Sequence, residues 1–264
     1  MNFFKAGKYN LEIGKKTYVM GILNVTPDSF SDGGKFIDPE KAINRALEIQ
    51  SEGADIIDIG AQSTRPGYEK ISPEQEWQRL SPVLKSIHDK LSIPISVDTF
   101  YPEVAQEALK FSVDIINDVS GFGEDMMAIA EKSDCGCIIM HDKPGVDSIK
   151  PFFEKKLELA ALHKIDTSRI CFDPGIGFSK TYEENLDIIK NLKNIKIDNI
   201  TTLIGLSKKR VIKTSCGSSD MNDRTYGTIA ADTLSIAFGA DIIRVHNVKE
   251  SVLAARVTDA ILRR

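Results

Sequence analysis

Eight short apolar runs, each followed by a segment with helical period, constrain this 264-residue chain more than any other feature. They span 19–23, 55–60, 93–97, 113–116, 137–140, 170–172, 202–206 and 242–245. Their brevity and lack of alternation are those of parallel strands buried on both faces. The intervening segments read as helices at 39–52, from 73 onward, and at 102–110, 124–132, 151–161, 183–192, 226–238 and 251–262. In the first of these, Ala42, Ile43, Ala46, Leu47 and Ile49 share one side and Pro39 suits the opening position. Ser72 followed by Gln75 reads as a capping box. Eight strand–helix units in a length near the typical ~250 residues predict an α/β fold, a single (β/α)8 TIM barrel over 1–264. A short hairpin at 8–17, turning at Gly14, is expected to lead into the first barrel strand. The rival is a doubly wound open sheet, but no G-x-G-x-x-G follows the first run.

Composition narrows the function. The chain is 42% hydrophobic with a formal net charge of -4, which argues against a nucleic-acid binder. No apolar stretch approaches the roughly 18 residues of a membrane span, and the N-terminus lacks the apolar core of a signal peptide. Cys135, Cys137, Cys171 and Cys216 do not have zinc-site spacing and are expected to be reduced thiols of a cytoplasmic protein.

Barrel enzymes place their chemistry at the carboxyl ends of the strands. Here those ends are Asn24; Gln62-Ser63-Thr64-Arg65; Asp98; Asn117; His141; Asp173; Ser207-Lys208-Lys209; and Arg244-Val245-His246. Every run finishes in a polar or ionisable group. Singly, each has an ordinary reading: Asp98-Thr99 and Asn117-Asp118 as caps, Asp173-Pro174-Gly175 as a turn, and 208–210 as a solvated basic run. Arg244 and His246 resist that reading, because both alternate with apolar residues and point the same way into the barrel. Together, two carboxylates and an amide suit a flat heterocycle bearing several N–H donors. Arg65, Lys209, Arg244 and His246 suit a phosphate or carboxylate. Asn24 is a neutral oxygen ligand that could join phosphate oxygens around Mg²⁺. No histidine set suggests a catalytic zinc, and no serine or cysteine has a hydrolase elbow sequence.

Six segments then carry a family resemblance: NVTPDSFSDGG (24–34), STRPG (63–67), SVDTF (96–100), IINDVSG (115–121), DPGIGF (173–178) and RVH (244–246). In this order they closely resemble the dihydropteroate synthase family, over residues from about Tyr18 to His246. The resemblance implies a monofunctional enzyme of folate biosynthesis and a sulfonamide target. It would join 6-hydroxymethyl-7,8-dihydropterin diphosphate to p-aminobenzoate with Mg²⁺, releasing pyrophosphate. Asp98, Asn117, Asp173 and Lys209 would hold the pterin, with Ser207 beside them and Met140 and Phe178 as apolar walls. Asn24 would bind Mg²⁺, and Arg244, His246 and Thr64 would meet the diphosphate. Phe30, Thr64, Arg65 and Pro66 would close over the site as the p-aminobenzoate pocket. Catalysis would fall to Asp98, Lys209 and Arg65. A homodimer through the late helices is implied. The chain departs from the family pattern at Arg210, where serine is common, at His141-Asp142-Lys143-Pro144, and at Asn247, where aspartate is frequent. Two alternatives share pterin recognition: a methyltetrahydrofolate-binding methyltransferase barrel and a pterin-binding paralogue without synthase activity.

Overall fold

The computed structural model describes residues 2–26, 39–62 and 69–263. Its N-terminal hairpin pairs β1 (Asn2–Ala6) antiparallel with β2 (Tyr9–Ile13). The hairpin therefore exists but lies earlier than expected, turning at Gly7-Lys8 rather than Gly14. Gly7 sits at φ +55 and gives its N–H to Asp134 O at 2.9 Å, so the turn is tied to the barrel floor.

Eight strands close the barrel: β3 (Tyr18–Asn24), β4 (Ile56–Gly60), β5 (Ile95–Asp98), β6 (Ile115–Asp118), β7 (Gly136–Met140), β8 (Ile170–Asp173), β9 (Thr201–Ile204) and β10 (Ile242–Val245). All pair in parallel in chain order, and β10 returns to β3. The helices are α1 (Pro39–Ser51), α2 (Pro73–Ile87), α3 (Pro102–Ala108), α4 (Glu124–Glu131), α5 (Ile149–Leu162), α6 (Tyr182–Lys190), α7 (Leu192–Ile195), α8 (Arg210–Cys216), α9 (Met221–Ala237) and α10 (Val248–Leu262).

Local chemistry explains several boundaries. Ser72 Oγ accepts from Gln75 N at 3.3 Å while Gln75 Oε1 accepts from Ser72 N at 3.1 Å, which starts α2. Thr181 and Glu184 make the same reciprocal pair ahead of α6. α9 begins five residues before the expected 226, because Asp220 caps it by accepting from Asn222 N at 2.8 Å. α8 was not expected as a helix; the charged run 208–210 hid its start.

Strand alternation sorts the apolar side chains into two clusters. Outside the sheet, Ile57, Ile59, Val97, Ile139 and Phe172 pack against helix residues such as Leu80, Leu84 and Phe153. Phe153 stacks on Phe172 with centroids 4.0 Å apart. Inside, Met20, Ile56, Ile115, Ile138, Cys171, Leu203 and Ile242 form a lower layer, sealed from below by Phe4 and Ala6 of the hairpin. Each such side chain adds about 1.5–3 kcal/mol by leaving water. The inward positions two residues further along the same strands include Asp58, Asn117, Met140, Asp173 and Arg244. The barrel is thus a plugged cup whose open end is polar.

Candidate active site

The centre of the cup is a guanidinium shared by two carboxylates. Arg244 Nη2 lies 2.8 Å from Asp98 Oδ2, and its Nε donates to Asp58 Oδ2 at 2.6 Å. Asp58 is fully buried. Its Oδ1 accepts from Ser96 Oγ at 2.6 Å and its Oδ2 also from Asn117 Nδ2 at 3.2 Å. This is the full donor set a buried carboxylate needs. Gly60, one strand away, leaves the space: a methyl group there would stand 3.4 Å from Asp98 Cβ.

A second group forms around Lys209. Its Nζ donates to Ile176 O at 2.5 Å and lies 4.7 Å from the Phe178 ring centroid. Asp173 Oδ1 accepts from Gly175 N at 2.7 Å, which fixes the turn after β8. That turn requires glycine: Gly175 sits at φ +74, and a methyl group on it would be 2.0 Å from His141 O. The two groups meet at Gly205, where a methyl would lie 3.8 Å from both Arg244 Cβ and Lys209 Nζ and 3.9 Å from Asp173 Oδ2. A third contact joins strands nine and ten, with Ser207 Oγ accepting from His246 N at 3.2 Å and lying 2.9 Å from its Nδ1.

Burial governs the charges. It pushes Asp98 up to about 7, with Arg244 opposing and Asp58 adding to the rise. It also raises Asp173, against the pull of Lys209. Lys209 is brought down to about 8 by burial, with Asp173 opposing. These are shifts typical of functional sites. Nearby, Lys180 is buried, donates to His141 O at 3.0 Å and Phe178 O at 3.2 Å, and is lowered to about 8 by burial. It links the loops after β7 and β8. His141 is 1% exposed, is lowered to about 4 by burial, and has Nε2 3.1 Å from Ser148 Oγ.

The structure therefore brings together Asp98, Asn117, Asp173, Lys209 and Arg244, and pairs Ser207 with His246 just beyond the ends of β9 and β10. Met140 ends β7 at 1% exposure beside Asp173 in register, and Phe178 is half-buried against Lys209. Phe30, Thr64, Arg65 and Pro66 lie outside the described residues; of the segment 25–34, read from the sequence as a mobile cover, only 25 and 26 are described, and Val25 is fully buried with its N–H on Gly60 O at 2.8 Å. Asn24 ends β3 half-buried, with Gly60 as its register partner, so no neighbouring side chain stands in front of it on that strand. A neutral amide oxygen in that position fits Mg²⁺, which keeps waters and phosphate oxygens as its other ligands. Among the described residues no group of three or more His, Cys, Asp or Glu could hold a metal. Arg210 is exposed at the first turn of α8.

Sequence reasoning missed Asp58, Ser96 and Lys180. Asp58 carried a signal: a lone acid within the run IIDIG must be paired if the run is buried. Lys180 carried none, since its partners are backbone carbonyls.

Known proteins resemble the chain over nearly its whole length. Residues 20–246 match the family model described as pterin binding enzyme. The chain is 40% identical to dihydropteroate synthase of Clostridium beijerinckii, over 98% of this chain and 100% of that protein. It is 44% identical to a folate synthesis bifunctional protein of Arabidopsis thaliana, over 97% of this chain and 59% of that longer protein. Among solved structures, a dihydropteroate synthase of Clostridium difficile determined in the presence of pteroic acid aligns with a TM-score of 0.92 and 42% identity, covering 96% of this chain and 100% of that one.

Proposed function

The chain belongs to the dihydropteroate synthase family of pterin-binding barrel enzymes, and from that premise we propose how its residues carry the reaction. The substrates are 6-hydroxymethyl-7,8-dihydropterin diphosphate and p-aminobenzoate, and the products are 7,8-dihydropteroate and pyrophosphate. Asp98, Asn117 and Asp173 accept from the N–H edge of the pterin, Lys209 donates to its acceptor edge, and Met140 and Phe178 flank the ring. Ser207 holds His246, which faces the diphosphate together with Arg244 and Thr64. Phe30, Arg65 and Pro66 complete the p-aminobenzoate pocket.

The route is SN1-like. The bond between the pterin methylene and the diphosphate oxygen breaks, and its electron pair leaves with the diphosphate. Asp98 stabilises the delocalised cation, while Arg65, Arg244 and His246 offset the leaving group's charge. The p-aminobenzoate nitrogen then forms the C–N bond with its lone pair and releases a proton. Orientation supplies much of the rate, since an arylamine is a competent neutral nucleophile. Asn24 is the residue that would hold Mg²⁺, whose contribution when bound is to offset charge on the departing diphosphate.

The observation that carries this reading is the Arg244 guanidinium held between Asp58 and Asp98, with Asn117 on the same carboxylate. A methyltransferase barrel has no need of the diphosphate set. The test mixes the protein with the pterin diphosphate, p-aminobenzoate and Mg²⁺ and measures dihydropteroate. Pterin binding without product supports the inactive paralogue instead.

We further propose a homodimer through α9 and α10. Leu234, Leu253, Val257, Ile261 and Leu262 are all exposed there, an apolar face well suited to a second copy of the chain. Val257→Glu should convert the dimer to monomers in analytical ultracentrifugation; an unchanged sedimentation profile removes this face as the interface. Unpaired thiols at Cys135, Cys137, Cys171 and Cys216 support a cytoplasmic location. Among the described residues no helix is long and apolar enough to cross a membrane.

A further inference from the structure

Met140 and Phe178, the two apolar residues read as flanking the pterin, stand at the end of β7 and in the loop after β8. Met140 is in register with Asp173, and the last bond between the two strand ends runs from His141 N to Asp173 O at 2.9 Å. Above that bond two side chains join the loops. At the rim Glu184 Oε1 accepts from Gly145 N at 2.8 Å while its Oε2 accepts from Thr181 N at 2.7 Å. Close to the walls the link is Lys180. Its Nζ donates to His141 O, one residue past Met140, at 3.0 Å and to Phe178 O at 3.2 Å. Lys180 is 6% exposed. An ammonium held so far from water costs more than an apolar side chain would, so packing alone does not account for it.

The backbone is bent to bring it there. Gly175, Gly177 and Ser179 sit at φ +74, +82 and +48, alternating along the loop. Serine lacks the freedom of glycine at such an angle, and the turn it makes carries Lys180 back onto Phe178 O. Gly175 leaves the room: a methyl group on it would stand 2.0 Å from His141 O and 3.2 Å from Lys180 Nζ. Phe178 is held from its other side too, its N–H donating to Gly175 O at 3.1 Å. Gly177 N donates to Asn185 Oδ1 at 2.6 Å, which ties the loop to α6.

We propose that Lys180 is a positioning residue for the pterin: by holding His141 O and Phe178 O on one ammonium, it sets the width of the slot between Met140 and Phe178 in which the ring lies. The inference rests on the reading of the pocket given above. Walls fixed before binding spare the ring the cost of ordering them, so the benefit falls on pterin affinity.

The test compares the wild type with Lys180→Met, which keeps the length and loses the donor, and Lys180→Arg, which keeps a donating cation. Calorimetry gives the Kd of 6-hydroxymethyl-7,8-dihydropterin, which lacks the diphosphate and reads the ring slot alone. Steady-state kinetics gives KM for each substrate. Lys180→Met should raise the Kd and the KM for the pterin diphosphate about tenfold, with KM for p-aminobenzoate within about twofold of the wild type. Lys180→Arg should recover most of the loss. A folded Lys180→Met protein with the wild-type Kd assigns the residue to stability alone and overturns the proposal. An equal rise in both KM values overturns it as well, as does a Lys180→Arg protein no better than Lys180→Met. Should Lys180→Met not fold, Lys180→Gln keeps a shorter, neutral donor and should raise the Kd about threefold; an unchanged Kd overturns the proposal. If the wild type binds pterin but forms no dihydropteroate, the synthase reading fails and the Kd comparison still decides the role of Lys180. A wild type that does not bind pterin overturns the reading of the pocket, and the proposal with it.

Discussion

Two residues of travel along the same strands separate two regions of the barrel interior that obey different physics. The lower layer holds Ile56, Ile115, Ile138, Cys171, Leu203 and Ile242; the layer above holds Asp58, Asn117, Met140, Asp173, Gly205 and Arg244. Below, only volume and apolarity matter, and the hairpin residues Phe4 and Ala6 close the remaining space. Above, each polar group needs a named partner. Asp58 alone takes hydrogen bonds from Arg244, Ser96 and Asn117. The lower layer stabilises the fold, and the upper layer draws on that stability to keep charges dry and aimed at a substrate.

Breaking the upper layer at its centre should have the largest effect. Arg244→Met leaves Asp58 and Asp98 as buried acids without their cation. Turnover should fall about a thousandfold, and denaturant unfolding should show a loss of about 3–5 kcal/mol. Near-normal stability would mean that the two carboxyls find other partners. Asp98→Asn should be the next largest, lowering kcat about a hundredfold with pterin affinity much less affected. Calorimetric titration alongside turnover decides it: equal losses in both would make Asp98 a binding group only.

The pH profile sharpens the contrast further. Asp98 must be ionised to meet a cation, and it is held up to about 7, so kcat/KM should fall as pH drops through that value. Lys209 must be protonated to donate, and it is brought down to about 8, so activity should also fall as pH rises through that value. A flat profile across this range would show that neither group titrates in the free enzyme. The smallest functional effect should come from the lower layer. Ile138→Ala should cost about 2–5 kcal/mol of stability yet leave kcat/KM of the folded protein within about twofold. A tenfold drop in kcat/KM would mean that the two layers are mechanically one.

The two layers also differ in how plainly the sequence showed them. Unbroken apolar runs specify buried strands whatever lies around them, so the barrel and its carboxyl-end groups could be read directly, Asp98, Asn117, Asp173 and Arg244 among them. Asp58 was masked by the same logic, because a single acid in an apolar run was absorbed into the strand rather than treated as a group needing a partner. The hairpin was placed too late because its strand pattern is short and its burial depends on the barrel floor it covers. α8 was missed because three successive cations at 208–210 look solvated until Lys209 is seen folding back onto Ile176 O. Lys180 owes its place to a contact distant in sequence, with His141 O, which no local pattern encodes.

A crystal structure with the pterin bound tests the central claim most directly. The account predicts the ring above the Ile138 layer, hydrogen-bonded to Asp98, Asn117, Asp173 and Lys209, with Asp58 still holding Arg244 beneath it. A ring bound elsewhere, or one that leaves those four side chains untouched, would contradict it.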